Sequence, residues 1–196
     1  MGIGAFFALL AVGSFVYAFF VLGSERRRLD GLRPLEAAQA AGLRAGQRIL
    51  LTSVISDKNP PLVHDLVVAC EETQNDDNSW HPRRSYHRPL VVARDGVELT
   101  VTLRQPCPRG RHAVIPNPES NLWRWVGLRR GDTLTIVGTV TATRPLTLWG
   151  EDAFAGSADE YRRYLTRARW YVLPFSVLAM LLGVALIVAG MRQRPS

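Results

Sequence analysis

Two long apolar runs bracket the chain. Gly2–Gly23 reads GIGAFFALLAVGSFVYAFFVLG and Trp170–Met191 reads WYVLPFSVLAMLLGVALIVAGM, 22 residues each, with no charged side chain in either. At about 1.5 Å per residue, either run as a helix is long enough for a hydrocarbon core of roughly 30 Å. Charged groups are costly in lipid, so uncharged runs of this length are rare in water-exposed folds. The pattern predicts two transmembrane helices, 2–23 and 170–191. A cleaved signal peptide is the other reading of the first run. No Lys or Arg precedes that run, its apolar part exceeds a usual h-region, and Ser24-Glu25-Arg26 follows in place of a small-x-small cleavage site. An uncleaved anchor is therefore expected. Pro174 falls in the first turn of the second run, where its missing N–H costs little. Trp170 and Tyr171 open that run, where amphipathic rings favour a membrane interface.

Between the runs the period shortens. PLEAAQAAGLRAG (34–46) is rich in alanine and predicts a short helix, with Pro34 at its first position and Gly46 as its stop. RILLTSVIS (48–56) is apolar and β-branched, a strand. Asn59-Pro60-Pro61 breaks it, and LVHDLVVACEE (62–72) is the next strand. QNDDNSWHPRRS (74–85) is polar and predicts a loop. PLVVARDGVELTVTLR (89–104) predicts a hairpin turning at Asp95-Gly96, a type I′ pair. PCPRGRHAVIPNP (106–118) carries four prolines and predicts irregular chain. After Pro145, LTLW is a last short strand. SADEYRRYLTRARW (157–170) predicts a helix with a Ser157/Glu160 capping box, running on into the second apolar run. One passage repeats: AGLRAGQRILLTSVIS (41–56) aligns with VGLRRGDTLTIVGTVT (126–141) at an offset of 85 residues, too long for a solenoid. Each copy reads as a turn feeding a strand. The expected fold class is mainly β, a small antiparallel barrel or sandwich over 24–169 with short helices, because closure removes exposed edges. Two transmembrane helices flank it, and 192–196 is a short basic tail.

Charge changes the picture by its placement. The formal net charge is +7, from 24 basic and 17 acidic residues. Arg26, Arg27, Arg28, Arg33, Arg162, Arg163, Arg167, Arg169, Arg192 and Arg194 flank the two runs, with Glu25, Asp30, Asp159 and Glu160 among them; the remaining 14 basic and 13 acidic side chains nearly balance. The excess is expected to meet anionic headgroups, with Arg26, Arg27, Arg28, Arg162, Arg163, Arg167, Arg169, Trp170 and Tyr171 at the membrane surface. The expected partners are thus the lipid bilayer and a membrane or membrane-proximal protein, with no nucleic acid, and the expected address is the inner cell membrane, crossed twice. Eight arginines lie on the domain side and two beyond the second run, which by the positive-inside rule favours a cytoplasmic domain. Cys70 and Cys107 either pair in an oxidising compartment or sit as small buried apolar groups.

The order of elements resembles the GIDE family, also called the BAM ("beside a membrane") domain. The resemblance rests on Pro61-Leu62 before a strand, a polar loop with Trp80, and Pro89, Leu90 and Val92. It continues through Asp95-Gly96 before the strand holding Val101, then Gly131, Asp132, Leu134 and Gly138, and a charged helix entering the last run. It implies a prokaryotic-type member lacking the RING domain that eukaryotic ubiquitin ligases of the family carry after the second span. Only Arg192 to Ser196 follow that span, so ligase activity is not carried over. It also implies a domain facing away from the cytosol, against the arginine count.

Candidate chemistry is sparse. His64, His81, His87 and His112 form no helical zinc pair, and no nucleophile-elbow, P-loop or dinucleotide fingerprint is present. Trp80, His81 and His87, in or beside the polar loop with Asp76 and Asp77, mark the one place for a partner or a site. His64 and Glu72 are expected on one face of a strand and Glu71 on the other, and Trp123 and Trp125, two apart, on one side of another. No catalytic residue, cofactor or metal is expected. The leading expectation is a non-enzymatic, membrane-anchored interaction or sensing module. An accessory subunit of a membrane complex and an enzyme using the Asp76–His87 loop are the alternatives.

Overall fold

A computed structural model describes residues 23–32, 34–35, 42–105, 107–110 and 112–192, with isolated positions Leu9, Val12, Gly13, Val16 and Phe20. Two compact units are present. One comprises Met1–Gly31 with Arg162–Ser196, the other Leu32–Tyr161.

The second unit holds ten strands: β1 (Arg48–Ile55), β2 (Leu66–Gln74), β3 (Trp80–Tyr86), β4 (Leu90–Arg94), β5 (Val97–Leu103), β6 (Arg109–Gly110), β7 (Ala113–Pro116), β8 (Trp123–Arg129), β9 (Thr133–Thr143) and β10 (Leu146–Ala155). They form a six-stranded sheet, β5-β4-β1-β9-β10-β6, and a four-stranded one, β3-β2-β8-β7. A parallel pairing of β10 with β5, Leu148 beside Val101, closes five strands of the larger sheet into a barrel. The expected barrel is thus present, but its closure is parallel where all-antiparallel pairing is expected.

Alternation fills the barrel. Leu51, Ile55, Val92, Val101, Leu134, Ile136, Val140 and Leu148 are buried in one cluster, which Val67, Val68 and Leu128 of the smaller sheet join. The Asp95-Gly96 turn has both residues at positive φ, 49° and 81°, as the type I′ geometry demands. The repeated turn proves structural from its second glycine onward. Gly46 and Gly131 adopt φ +83° and +81°, and each feeds one of two paired strands, β1 and β9. The Gly46 N–H donates to Val140 O at the far end of β9, and the Gly131 N–H donates to Ile55 O at the far end of β1. The two turns thus cap opposite ends of one ladder. The chain break at Asn59 also has a packing role. Asn59 is 3 % exposed; its Nδ2 donates to Ser56 O and Val91 O at 2.7 Å, and its Oδ1 accepts the Val91 N–H at 2.8 Å.

Element boundaries differ from the sequence pattern at four places, one being the last strand, which runs on from LTLW to Ala155 as β10. The polar stretch 74–85 contains β3, because backbone pairing with β2 over Ala69–Gln74 outweighs its polar side chains. The four-proline stretch contains β6 and β7, and Pro116 closes β7 at a sheet edge, where a missing N–H is tolerated. β2 starts at Leu66, so His64 sits in the preceding turn at φ 52° and not on a strand face with Glu72. Of the predicted helix 34–46, residues 36–41 lie outside the described residues, and Pro34 forms a bridge with Leu50.

The first unit contributes α1 (Gly23–Asp30). α2 (Ala158–Arg192) starts in the β unit and is continuous through 35 residues, as expected. The capping box is formed: Ser157 N–H donates to Glu160 Oε2 at 2.8 Å and Glu160 N–H to Ser157 Oγ at 3.3 Å. The transmembrane pair, however, does not stand. Most of 2–22 lies outside the described residues, and among the described residues no helix is long and apolar enough to cross a membrane. The second run is the distal part of α2, whose opening turns carry Asp159, Glu160, Arg162, Arg163 and Arg167, so helix length and apolar length differ here. The bilayer as partner and the two-pass inner-membrane address are withdrawn with the spans. Two arginines expected at headgroups have protein partners: Arg26 pairs with Asp30 at 3.5 Å, and Arg162 reaches Asp30 at 3.4 Å. Arg27, Arg28, Arg163, Arg167, Trp170 and Tyr171 are exposed, and the Arg169 side chain lies outside the described residues. The exclusion of nucleic acid depended on giving these arginines to a membrane, so it is withdrawn too.

Candidate interaction surface

The four-stranded sheet carries an aromatic row and two ion pairs reaching across its strands. On β8, Trp123 and Trp125 share a face, as their spacing predicts, with ring centroids 6.5 Å apart at 61°. Across β2, Tyr86 of β3 meets Trp125 edge-on, centroids 5.6 Å apart at 63°. This is the geometry that the aromatic quadrupole favours. Cross-strand register produces it: Ala69 pairs with both Tyr86 and Gly127, and Glu71 with Trp125. Tyr86, Trp125 and Trp123 thus form one row across three strands, with Tyr86 exposed and both tryptophans half-buried.

The other face of the same sheet stacks an arginine. Arg124 lies 4.0 Å from the Trp80 ring centroid, and its Nε and Nη2 both donate to Glu72 Oε2, at 2.9 and 2.8 Å. The carboxylate fixes the guanidinium plane over the indole, a cation–π contact. On β2, Glu71 is buried, and its Oε1 accepts from Arg83 at 3.2 Å. Arg83 stands where β3 slips register against Glu71 and Glu72, a bulge that aims its side chain at the carboxylate. Cys70, the residue before Glu71 on β2, is bonded to Cys107 with Cα atoms 6.0 Å apart. The disulfide staples β2 to the segment leading into β6, and such bonds persist in oxidising surroundings.

The predicted site loop comes apart in three dimensions. His81 stands near the start of β3 and His87 just past its end, about 20 Å apart at ~3.3 Å per residue. His87 is exposed, and Trp80 turns under Arg124. His81 Nε2 lies 2.6 Å from Ser79 Oγ, and Ser79 Oγ donates to Asp77 Oδ1 at 2.6 Å. The Ser79 hydroxyl and backbone N–H hold the Asp77 carboxyl below its usual range. Asp77 Oδ1 also accepts the Ser79 N–H at 3.0 Å, so the turn before β3 holds the three side chains together. Among the described residues no cluster of three or more His, Cys, Asp or Glu could hold a metal ion. Sequence spacing anticipates the Trp123/Trp125 pair. It does not reach Tyr86, Glu72, Arg83 or Arg124, whose contacts depend on strand register.

No family model and no curated protein matches the chain. Among solved structures, the telomere capping protein Ten1 from Saccharomyces pombe superposes with a TM-score of 0.34 at 10 % identity, covering 70 % of this chain and 96 % of Ten1. A likeness that slight carries nothing about what this chain binds.

Proposed function

We propose that the chain is a non-catalytic binding module that engages a partner protein through its four-stranded sheet. The observation that carries this reading is the row Tyr86–Trp125–Trp123 on one face, with Arg124 stacked on Trp80 behind it. Trp, Tyr and Arg dominate the residues whose truncation costs a protein interface most. Their rings here are already fixed by neighbours and by the Glu72 ion pair, so little side-chain entropy remains to be lost on docking.

Photo-crosslinking tests the reading. A benzophenone amino acid at Tyr86 is expected to give a discrete protein adduct in cells that a Trp125→Ala background abolishes. The same probe at Trp149 on the barrel, 42 % exposed, is expected to give none. Equal adducts at both positions, or none at Tyr86, would sink the proposal.

A further inference from the structure

Charge is distributed unevenly around the aromatic row. Directly opposed residues of antiparallel strands point to one face of a sheet. Arg84 opposes Glu71, and Glu71 opposes Trp125. Arg84 therefore stands on the face of the row, two positions before Tyr86 on the same strand. Arg84 and Arg88 are both exposed. Arg83 is held by Glu71 and Arg124 by Glu72, but among the described residues neither Arg84 nor Arg88 is paired with a carboxylate.

The carboxylates of this sheet are engaged or lie at its other end. Asp76 and Asp77 sit in the turn between β2 and β3, and Glu119 in the loop between β7 and β8. That turn and that loop share one end of the sheet, where the Gln74 N–H donates to Leu122 O at 2.7 Å. Tyr86 and Arg88 stand at the opposite end, where β3 finishes. Asp65, just ahead of β2 at that end, is paired with Arg129 at 2.6 Å. From Trp80 to Arg88 the chain carries Arg83, Arg84 and Arg88 and no Asp or Glu. The row thus ends, at Tyr86, beside two uncompensated guanidinium groups.

The rings narrow what docks there. Trp123 meets Trp125 at 61°, and Tyr86 meets Trp125 at 63°. Edges meet faces along the row, so it presents no series of parallel ring faces. Single-stranded nucleic acid stacks successive bases on such faces. An uneven, half-buried apolar row suits the side chains of a polypeptide instead. Free guanidinium groups suit carboxylates, which arginine binds through two N–H groups at once.

We infer, on the reading of this sheet as a protein interface, that the docking segment is acidic, with its apolar or aromatic side chains on Trp125 and Trp123 and its carboxylates on Arg84 and Arg88. Complementary charge of this kind steers encounter and sets register, and the aromatic row holds the segment once it has arrived.

The test titrates the purified full chain into fluorescein-labelled poly(Glu,Tyr), an acidic random copolymer, and reads anisotropy. Poly(Glu,Tyr) is expected to bind and poly(Lys,Tyr) is not. Arg84→Glu/Arg88→Glu is expected to weaken binding about tenfold. Arg44→Glu/Arg104→Glu makes the same charge change at exposed positions before β1 and after β5, and is expected to change affinity less than about twofold. Arg84→Gln/Arg88→Gln, a milder pair, is expected to fall between the two, and Trp125→Ala to remove the preference for poly(Glu,Tyr) over poly-Glu. Equal weakening by the two charge reversals would mean attraction by net charge alone and would overturn the inference. So would tighter binding of single-stranded oligothymidylate than of poly(Glu,Tyr), if Arg84→Glu/Arg88→Glu abolished it. Crosslinking from Tyr86 separates this inference from the reading beneath it. A protein adduct undiminished by Arg84→Glu/Arg88→Glu would keep the interface and overturn its acidic partner, whereas no adduct in the parent chain would remove the interface itself.

Discussion

The two sheets of the β unit solve opposite problems with the same secondary structure. The barrel closes on itself through β10 and β5, so its long strands present no free ladder there. Its interior is Leu, Ile and Val. Charged side chains on its outside pair, as when Arg48 meets Glu151 at 2.6 Å. The four-stranded sheet stays open at β3 and β7. Pro82 and the Arg83 bulge on one edge, and Pro116 on the other, are devices that discourage edge-to-edge association. Its contacts are rings, ion pairs and a disulfide. Closure buries apolar side chains and supplies stability, whereas an open sheet leaves large side chains available and needs staples to stay in place.

Breaking the barrel should have the largest effect. Leu134 is fully buried in the core, and Leu134→Ala is expected to cost about 4 kcal/mol, read by urea denaturation as loss of the whole fold. If it instead loosened the two sheets separately, the picture of one shared core would fail. Reducing the Cys70–Cys107 bond closes no cavity and opens no core. It is expected to cost about 3 kcal/mol, with hydrogen exchange rising in β2, β3 and the 104–112 segment before the barrel. Uniform exchange gain would contradict a staple that acts locally between β2 and the segment before β6. Asn59→Ala strands the Val91 N–H at the barrel rim, while the Ser56 and Val91 carbonyls keep backbone donors, and is expected to cost about 2 kcal/mol. Asn59→Asp turns a buried carboxylate oxygen onto those two carbonyl oxygens and is expected to cost more than Asn59→Ala. Tyr86→Ala removes the edge-on pair with Trp125 and is expected to cost about 1 kcal/mol of stability, less than the roughly 2 kcal/mol by which it weakens partner capture. Any variant that moves both quantities equally would blur the division between the sheets.

The smallest effect is a pH slope at His112, which is half-buried. Burial lowers the folded-state pKa of His112, so the unfolded chain binds more protons near that pKa. The contribution is complete above the unfolded value of about 6.5 and is lost as pH falls through and below it. Stability is expected to drop on acidification from neutral pH by less than about 1 kcal/mol per pH unit, given the partial exposure of the ring. His112→Phe should flatten that component. An unchanged slope would assign the acid sensitivity to other groups.

The sequence by itself determined what rests on neighbours along the chain. The Asp95-Gly96 hairpin, the Ser157/Glu160 capping box, the β1 strand, the turns at Gly46 and Gly131 and the shared face of Trp123 and Trp125 all follow from local dihedral preference and side-chain period, which need no partner. Tertiary structure alone decided what rests on register and distance. It placed β3 in a stretch too polar to read as a strand, because backbone pairing with β2 is indifferent to side-chain polarity. It closed the barrel with a parallel pair, which no alternation encodes. It chose the disulfide over two separate buried thiols, and it gave Arg26 and Arg162 a carboxylate in Asp30 where composition had given them headgroups. It separated His81 from His87 and brought Glu72, Arg124 and Trp80 together from three strands. Ionic and aromatic contacts act over a few ångströms between residues tens of positions apart, and only the folded chain fixes which of them meet.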